Sequence, residues 1–448
     1  MQEPFDGLSH PAHTLLGRRA AGFSAMSNVY WTPTDWHPAD LQAGTTIVDL
    51  LKPRDAKDVE DAVVWALAEN KTLEIAGQGS KRGIGRPSQS DVTLDLSGLT
   101  GVTLYEPEEL VLSARAGTPI AEIERLASDK NQELAFEPMD YGPLLGGAVA
   151  AGTIGGVLAA NLSGPRRIRA GAARDHFLGM SAVSGRGETF KSGGRVVKNV
   201  TGYDLCKVLA GSWGTLGAMT DVTIKTLPRA ETEATVLLSG LDDRRALQAM
   251  TDAMGSSCEV SGAAHLPVQS LGDLRGLFGG RSATLLRLEG VAPSVSHRVA
   301  VLAALLKAYG AAETLAEESS RMAWRAVRDV LPFAGDDRPV WRVSVPPMRG
   351  AEVAAEAAKR DGAYFFDWAG GLVWIALPPS DDAGSTAIRT AVAGSGGHAT
   401  LVRAPAAIRA AVAVFEPQDE GVAALTRRVK DSFDPKGVLN PGRMWAGV

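Results

Sequence analysis

Between Tyr141 and Pro165 the chain reads YGPLLGGAVAAGTIGGVLAANLSGP without one charged side chain, and then Arg166, Arg167, Arg169 and Arg174 arrive together. A run this long and uncharged has few physical outcomes. A membrane span needs about 20 apolar residues, but Gly142, Gly146, Gly147, Gly152, Gly155 and Gly156 weaken such a helix, and Asn161 and Ser163 weaken it further. A packed Gly/Ala core helix leaves the four following arginines unexplained. A surface against which a ligand lies close to the backbone accounts for both features. Small residues permit the approach, and exposed N–H groups with guanidinium groups suit an anion. The stretch reads as the docking surface for a large, flat, anionic cofactor.

At 448 residues the chain is too long for one compact core, so two domains, or a domain with an elaborate cap, are expected. The formal charge of −5, from 46 Lys+Arg against 51 Asp+Glu, gives no electrostatic case for nucleic acid or an anionic membrane surface. The only cysteines, Cys206 and Cys258, lie far apart, which suits a reducing compartment and rules out a cysteine-ligated iron–sulfur cluster within this chain. Glu3 and Asp6 with no sustained apolar core give no secretory signal, and the apolar stretch after Arg18-Arg19 is too short and too polar for a twin-arginine leader. Met26 offers a second start.

Residues 1–43 mix Pro, His, Trp and Gly without periodicity and read as an extended or disordered extension. A strand from 46 stops at Pro53, and Asp55 caps a helix with Val59, Val63, Ala66 and Leu67 on one face. The strand 72–76 runs straight into Gly77-Gln78-Gly79-Ser80-Lys81-Arg82-Gly83-Ile84-Gly85. That loop resembles a phosphate cradle, yet it matches neither the P-loop nor the Rossmann spacing, because Pro87 and the strand 92–96 follow it. Strands at 102–105 and 110–116 lead to a helix from Thr118-Pro119 to about Ser128. A hairpin at 179–190 turns on Gly185-Arg186-Gly187, 199–217 reads as a capped helix with a glycine turn, and 218–227 alternates as a strand.

After Pro228, strands at 236–238, 284–289, 341–345, 364–366, 373–377 and 400–402 interleave with helices at 243–254, 294–308, 348–359 and 382–392. The order suggests two successive β-α-β-β-α-β units forming one antiparallel sheet with helices on one face, joined by a helix at 319–331. A last helix, 421–433, precedes a turn-rich tail ending in Asn440-Pro-Gly-Arg443 that could reach back to the first domain.

The loop AGQGSK, the run GTIGGVLAANLSGPRR, the segment RAGAARDHFLG, KNVTGYDLCKVLAGSWGTLG and the tail FDPKGVLNPGR, at these spacings, resemble the vanillyl-alcohol-oxidase/PCMH-type FAD-binding family, and within it the FAD-binding subunit of bacterial glycolate oxidases. The resemblance covers nearly everything from Thr46 to Met444. It implies an α+β fold: a two-subdomain FAD-binding domain (44–228), an α+β cap domain with an antiparallel sheet (229–418), and a C-terminal helix and tail (419–448) returning to the FAD domain. Non-covalent FAD is implied, since no His or Cys lies in the first loop. Carried over by residue, Ala76, Gly77, Gln78, Gly79 and Ser80 match the pyrophosphate loop, with Ile84 and Gly85 at its far end. Gly152, Thr153, Gly155, Gly156, Asn161, Ser163 and Gly164 match the second cofactor segment. Arg169, Gly171, Arg174 and Asp175 match the turn over the cofactor, Met219 and Val222 the strand at the adenine end, and Asn440 the tail near the ring.

Two departures stand out. Gln78 replaces a glycine usual in this subunit and would cost about 1 kcal/mol if that position required a left-handed backbone. The related catalytic oxidases carry a histidine-bearing motif in the cap, whereas His265, His297 and His398 stand alone here. Oxidation of a 2-hydroxy acid on a flavin needs a base, a cation for the carboxylate and a hydride acceptor. Arg166 and Arg167 are read as cofactor-binding residues that place positive charge on the flavin or its pyrophosphate, in preference to surface ion pairing. Trp324 reads as a core aromatic of an amphipathic helix, and Tyr203 as a packing residue at a helix start. No residue is identified as the base. The reading is an FAD-dependent oxidoreductase subunit of a glycolate oxidase complex, with a homologous flavoprotein and an iron–sulfur subunit as partners. Its place is the cytoplasm, or the inner face of the cytoplasmic membrane through that complex. A self-sufficient hydroxy-acid or alcohol dehydrogenase and a non-catalytic flavin-fold scaffold stand as alternatives.

Overall fold

The computed structural model describes residues 49–194 and 202–448. The expected N-terminal extension lies outside the described residues, as do Lys198 to Thr201 of the KNVTGYDL motif.

The first strand, β1 (Asp49–Leu51), gives way to helix α1 (Ala56–Ala68), which starts where Asp55 accepts the N–H groups of Lys57 and Asp58. Its apolar face buries Val59, Ala62, Val63, Trp65 and Ala66. Strands β2 (Leu73–Ala76) and β3 (Val92–Asp95) follow, and β3 pairs in parallel with both β1 and β2. Next come β4 (Val102–Glu106), β5 (Val111–Arg115), α2 (Ile120–Ser128) and the two-residue β6 (Gln132–Glu133). Pro119, not Thr118, occupies the α2 cap; the Thr118 hydroxyl instead donates to Arg115 O at 2.7 Å and accepts Gly101 N–H at 3.0 Å.

The uncharged run forms two short helices, α3 (Gly142–Leu145) and α4 (Ile154–Ala160), followed by α5 (Arg167–Ala170). No described helix is long and apolar enough to cross a membrane. The hairpin β7 (Phe177–Val183) and β8 (Thr189–Gly193) precedes α6 (Leu205–Leu209), which is much shorter than the helix expected from 199 and is capped by Asp204. Strand β9 (Ala218–Lys225) completes a five-stranded sheet of order β4-β5-β9-β7-β8, and β10 (Leu227–Pro228) pairs with β6.

The next elements are β11 (Thr232–Ser239), α7 (Asp243–Met254), β12 (Gly262–Leu266), β13 (Ala283–Gly290), α8 (Ala292–Leu305) and β14 (Ala312–Leu315). After α9 (Glu317–Arg328) the pattern repeats as β15 (Val340–Ser344), α10 (Gly350–Ala358), β16 (Ala363–Asp367), β17 (Leu372–Ala376), α11 (Ser385–Ala393) and β18 (His398–Arg403). These strands form one antiparallel sheet of order β14-β11-β13-β12-β16-β17-β15-β18. Each β-α-β-β-α-β unit has the same internal order, and the second strands of the two units meet at His265 and Phe366.

Alternation along these strands gives the sheet two working faces. Val236, Leu286, Trp341, Val343, Ile375 and Leu401 pack under residues of α7, α8, α10 and α11. Leu237, Leu285, Phe365, Trp374 and Val402 face the other way, toward Ala323, Trp324 and Val327 of α9 and toward Phe136, Met139 and Leu162. The four repeat helices therefore share one face, as the sequence pattern predicts, while the joining helix lies on the opposite one.

After α12 (Ala406–Ala411), α13 (Glu420–Phe433) carries the chain back to its first third. Leu73 N–H donates to Val438 O at 2.7 Å, and Asn440 N–H donates to Leu73 O at 2.9 Å. The buried Lys430 ammonium donates to Thr215 O, Leu439 O and the Asp434 carboxylate at 2.6–2.9 Å, so the tail is fixed by satisfied buried groups.

Candidate functional site

Two segments far apart in sequence close on one open cleft. One wall is the loop leaving β2: Ala76, Gly77, Gln78, Gly79 and Ser80, with Lys81 and Arg82. The other is Thr153, the cap of α4, with Gly155, Gly156, Ala159 and Ala160 of that helix, and Ile75, Leu96, Ala116, Trp213, Gly214, Gly217, Met219 and Arg443 complete the lining. The α4 segment is seated by backbone bonds, with Ile120 N–H donating to Gly152 O, Ile154 N–H to Thr118 O and Gly155 N–H to Ala116 O at 2.8–3.0 Å. Thr153 caps α4 through Gly156 N–H.

The walls touch where only glycine fits: a Cβ at Gly77 would stand 2.6 Å from Thr153 Oγ1. The left-handed backbone falls on Gly79, at φ +78°, while Gln78 adopts no positive φ and is exposed. The strain anticipated for Gln78 therefore does not arise.

Positive charge enters the cleft from residues that the sequence reading did not select. Burial pushes the Lys81 ammonium down to about 8, and no carboxylate among the described residues forms an ion pair with it; its hydrogen bond goes to Ser80 Oγ at 3.2 Å. Arg443 donates to Lys81 O at 2.9 Å and stacks on Trp213, with its guanidinium carbon 5.7 Å from the ring centroid. Its Nε is buried without a hydrogen-bond partner, and burial lowers its pKa. A glycine-lined slot holding two cations that form no ion pair among the described residues fits a dinucleotide diphosphate. The apolar lining from Leu96, Ala116, Ala159 and Met219 fits aromatic rings.

Other expected site residues stand behind the cleft. Ile84 and Val222 are core residues, so their side chains pack inward instead of lining it. Gly85, at φ +93°, lies against Arg443. Asn161 accepts Arg174 N–H at 3.0 Å, Ser163 accepts Ala173 N–H at 2.9 Å, and Asp175 accepts Ala172 N–H at 2.9 Å, which shapes the turn around Gly171. Arg174 itself is exposed. Gly164 O accepts the Trp368 indole N–H at 3.1 Å. Asn440 joins β2 to Trp213 and so holds one wall without lining it.

The arginines after Pro165 divide. Arg166 is drawn away from the cleft into a buried carboxylate cluster: it pairs with Glu289 at 2.5 Å, Glu133 at 3.2 Å and Glu137 at 3.4 Å. Arg287 pairs with Glu137 at 2.8 Å in the same cluster and lies 4.7 Å from the centroid of Trp324, a buried core aromatic as expected. Burial pushes the Glu289 carboxyl up, but Arg287 and Arg166 outweigh it and hold the group at about 2. Arg169 makes an exposed pair with Glu259 at 3.0 Å and is not among the residues lining the cleft. Arg167 is exposed and stacks against Trp368, 4.4 Å from its centroid. Tyr203 is 90% exposed, which removes the packing role expected for it.

Comparison with known proteins agrees with this geometry. Residues 49–193 match the family model "FAD binding domain", and 411–444 match "FAD linked oxidases, C-terminal domain". The chain is 33% identical to the glycolate oxidase subunit GlcE of Escherichia coli (strain K12), over 86% of this chain and 96% of that one. It is 26% identical to the glycolate oxidase subunit GlcD of Bacillus subtilis (strain 168), over 42% of this chain and 38% of that one. Among solved structures, p-cresol methylhydroxylase with substrate bound superposes with a TM-score of 0.68 at 14% identity, covering 88% of both chains, which shows a common fold. The 4-ethylphenol oxidase of Gulosibacter chungangensis superposes at 0.67 with 14% identity over 89% of both chains.

Proposed function

This chain belongs to the FAD-linked oxidase family together with GlcE, and on that premise we propose that it is the FAD-binding subunit of a glycolate oxidase. In this reading the complex oxidises glycolate to glyoxylate and passes the electrons to a partner. The cleft carries the proposal: Gly77 and Thr153 bring two small-residue segments into contact, and Lys81 and Arg443 supply positive charge without paired carboxylates. The adenine and diphosphate of the cofactor would lie along Ala76–Ser80, Thr153–Gly156 and Met219, with Asn161, Ser163, Gly164, Gly171 and Asp175 shaping the wall behind.

When bound, FAD supplies the two-electron acceptor for the hydride leaving the substrate carbon. The chain's own part is to orient that cofactor, offset the diphosphate charge and cover the reacting end with the eight-stranded sheet. Cys206 and Cys258 are both buried and single and offer no cysteine cluster for onward electron transfer, which is in keeping with partners that take the electrons. We assign those roles to a homologous flavoprotein and an iron–sulfur subunit, the assembly residing in the cytoplasm or at the inner face of the cytoplasmic membrane.

The test is a tagged full-length chain purified from its own host and from a host lacking the neighbouring subunits. The expected result is a flavin spectrum in both preparations and glycolate-dependent dye reduction only when partners co-purify. A flavin-free chain overturns the cofactor assignment, and full glycolate turnover by the isolated chain overturns the subunit assignment.

A further inference from the structure

One cation on the inner face of the eight-stranded sheet has no ion-pair partner among the described residues. Arg342 sits on β15 beside Trp374 of β17 and Thr400 of β18, and two residues on, Ser344 stands beside His398. Directly opposed residues of an antiparallel pair share a face, so Arg342, Ser344, Thr400 and His398 form one polar patch. Trp341 and Val343 of the same strand point into the core under the helices, which turns Arg342 toward the N-terminal half of the molecule. Around it the same face is apolar, with Phe365, Trp374 and Val402, while its other charged groups, Arg287 and Glu289, are paired in the cluster at Arg166.

The Arg342 guanidinium lies 4.9 Å from the centroid of Trp368, the ring that Arg167 also stacks on. No carboxylate or carbonyl among the described residues hydrogen-bonds either guanidinium, although almost every other buried arginine here is matched by one. Burial works against the Arg342 charge, Tyr141 and Asp367 favour it, and Asp367 also accepts the Trp368 backbone N–H at 2.7 Å. The backbone that presents Trp368 is itself strained: Trp368 and Ala369 have φ of 51° and 56° and precede Gly370 at 96°. Two successive non-glycine residues in that region cost about 1–3 kcal/mol each and persist where surrounding contacts enforce them. The indole N–H bond to Gly164 O is one such contact, and it ties the strained turn to the segment that follows α4.

We infer that Arg342, assisted by Arg167 and by the Ser344 and Thr400 hydroxyls, is the receptor for the carboxylate of a small organic acid. A guanidinium turned inward beside two hydroxyls and an indole plane favours a compact planar carboxylate over a hydrated inorganic ion. The inference rests on the proposed oxidation of a 2-hydroxy acid and names the group that would hold that acid. The other source of negative charge within the same reading is the flavin cofactor, so the experiment separates the two.

The full-length chain, loaded with FAD, is titrated calorimetrically with oxalate, a two-carbon acid that has no oxidisable C–H bond. The wild type is expected to bind oxalate, Arg342→Met to lose at least tenfold in oxalate affinity, and Arg342→Lys to recover part of it. FAD affinity, read by flavin fluorescence, is expected to stay within twofold in both variants. Thr400→Val, which leaves the charge and fold in place, is expected to weaken oxalate several-fold. Unchanged oxalate affinity in Arg342→Met, or no oxalate binding by the wild type, overturns the inference. Parallel loss of FAD affinity assigns the guanidinium to the cofactor and overturns it equally. Failure of the chain to take up FAD, with oxalate binding still dependent on Arg342, removes the flavoprotein reading and leaves the carboxylate site standing.

Discussion

Asn440 and Ile75, separated by 365 positions, are joined by a 2.8 Å hydrogen bond from the Ile75 backbone N–H to the Asn440 side-chain carbonyl. The other end of the same amide donates to Trp213 O at 2.7 Å. One side chain thus fixes the strand that delivers the glycine loop against the residue closing the far end of the cleft. Asn is suited to the task because its own φ is 43°, a region it tolerates better than most residues. Removing the amide leaves partly buried backbone groups unpaired, at about 1–3 kcal/mol. Asn440→Ala is expected to lower the thermal midpoint and weaken FAD binding together, with Asn440→Asp intermediate because it keeps the acceptor. Thermal denaturation and FAD titration on the same samples check this, and wild-type FAD affinity in the alanine variant would refute the tail's role.

Lys81 predicts a pH dependence of cofactor uptake. Its pKa is depressed by burial to about 8 from 10.5, so between those values the folded apo chain binds fewer protons than the unfolded one. Stability of the apo chain therefore gains from this group as pH rises through that window, and the buried charge weakens the fold below about 8. A diphosphate in the cleft reverses the preference and favours the ammonium form. FAD affinity is expected to fall as pH rises above 8, with proton uptake on binding that calorimetry in buffers of different ionisation enthalpy detects. Lys81→Met should bind FAD more weakly and without that slope, while riboflavin, which lacks the diphosphate, should bind both proteins alike.

The glycine loop predicts sharply different sensitivities at adjacent positions. Gly77→Ala drives a Cβ to 2.6 Å from Thr153 Oγ1, so the two walls must separate and FAD affinity should drop at least tenfold. Gly79→Ala forces a side chain onto φ +78° and should cost about 1 kcal/mol. Gln78→Gly relieves nothing, because Gln78 has no positive φ, and should leave FAD affinity within twofold. Equilibrium titrations of the three variants are sufficient, and a large gain from Gln78→Gly would refute the loop geometry.

These residues also mark what was legible in the sequence. Local rules carried far: Asp55 caps α1 as its position predicts, and the alternation after Pro228 predicts both β-α-β-β-α-β units. Strands β12 and β14 escaped notice because GAAHL and AETL are short and carry few β-branched or aromatic residues. The glycine segments were readable because backbone approach needs small residues wherever it happens. The arginines were not, since the fate of a charge depends on what a distant segment brings. Arg166 is claimed by Glu289, 123 residues away, while Arg342 and Lys81 matter for lacking such partners, and no local pattern announces a missing partner.

The carboxylate cluster at Arg166 gives the last prediction. Arg287 and Glu137 are buried and bidentate, at 2.8 and 3.0 Å, and Arg166 bonds Glu289 with both its Nε and Nη2. Removing one partner from such a network leaves an uncompensated buried charge, so Arg287→Met should cost about 3–5 kcal/mol. Replacing Glu137 and Arg287 together by Gln and Met should cost less than the sum of the two single changes, because no charge of that pair is then stranded. Acid acts on the same groups with a definite sign. The Glu289 carboxyl is held at about 2, below its ordinary value of 4.5, so its contribution is fully present above that value and is lost as pH falls toward 2. Denaturant unfolding between pH 6 and about 3 should show stability falling in the wild type. Glu289→Gln should start lower and fall less steeply over the same range. A wild-type slope in that variant would show that the acid sensitivity of the fold resides in other carboxylates.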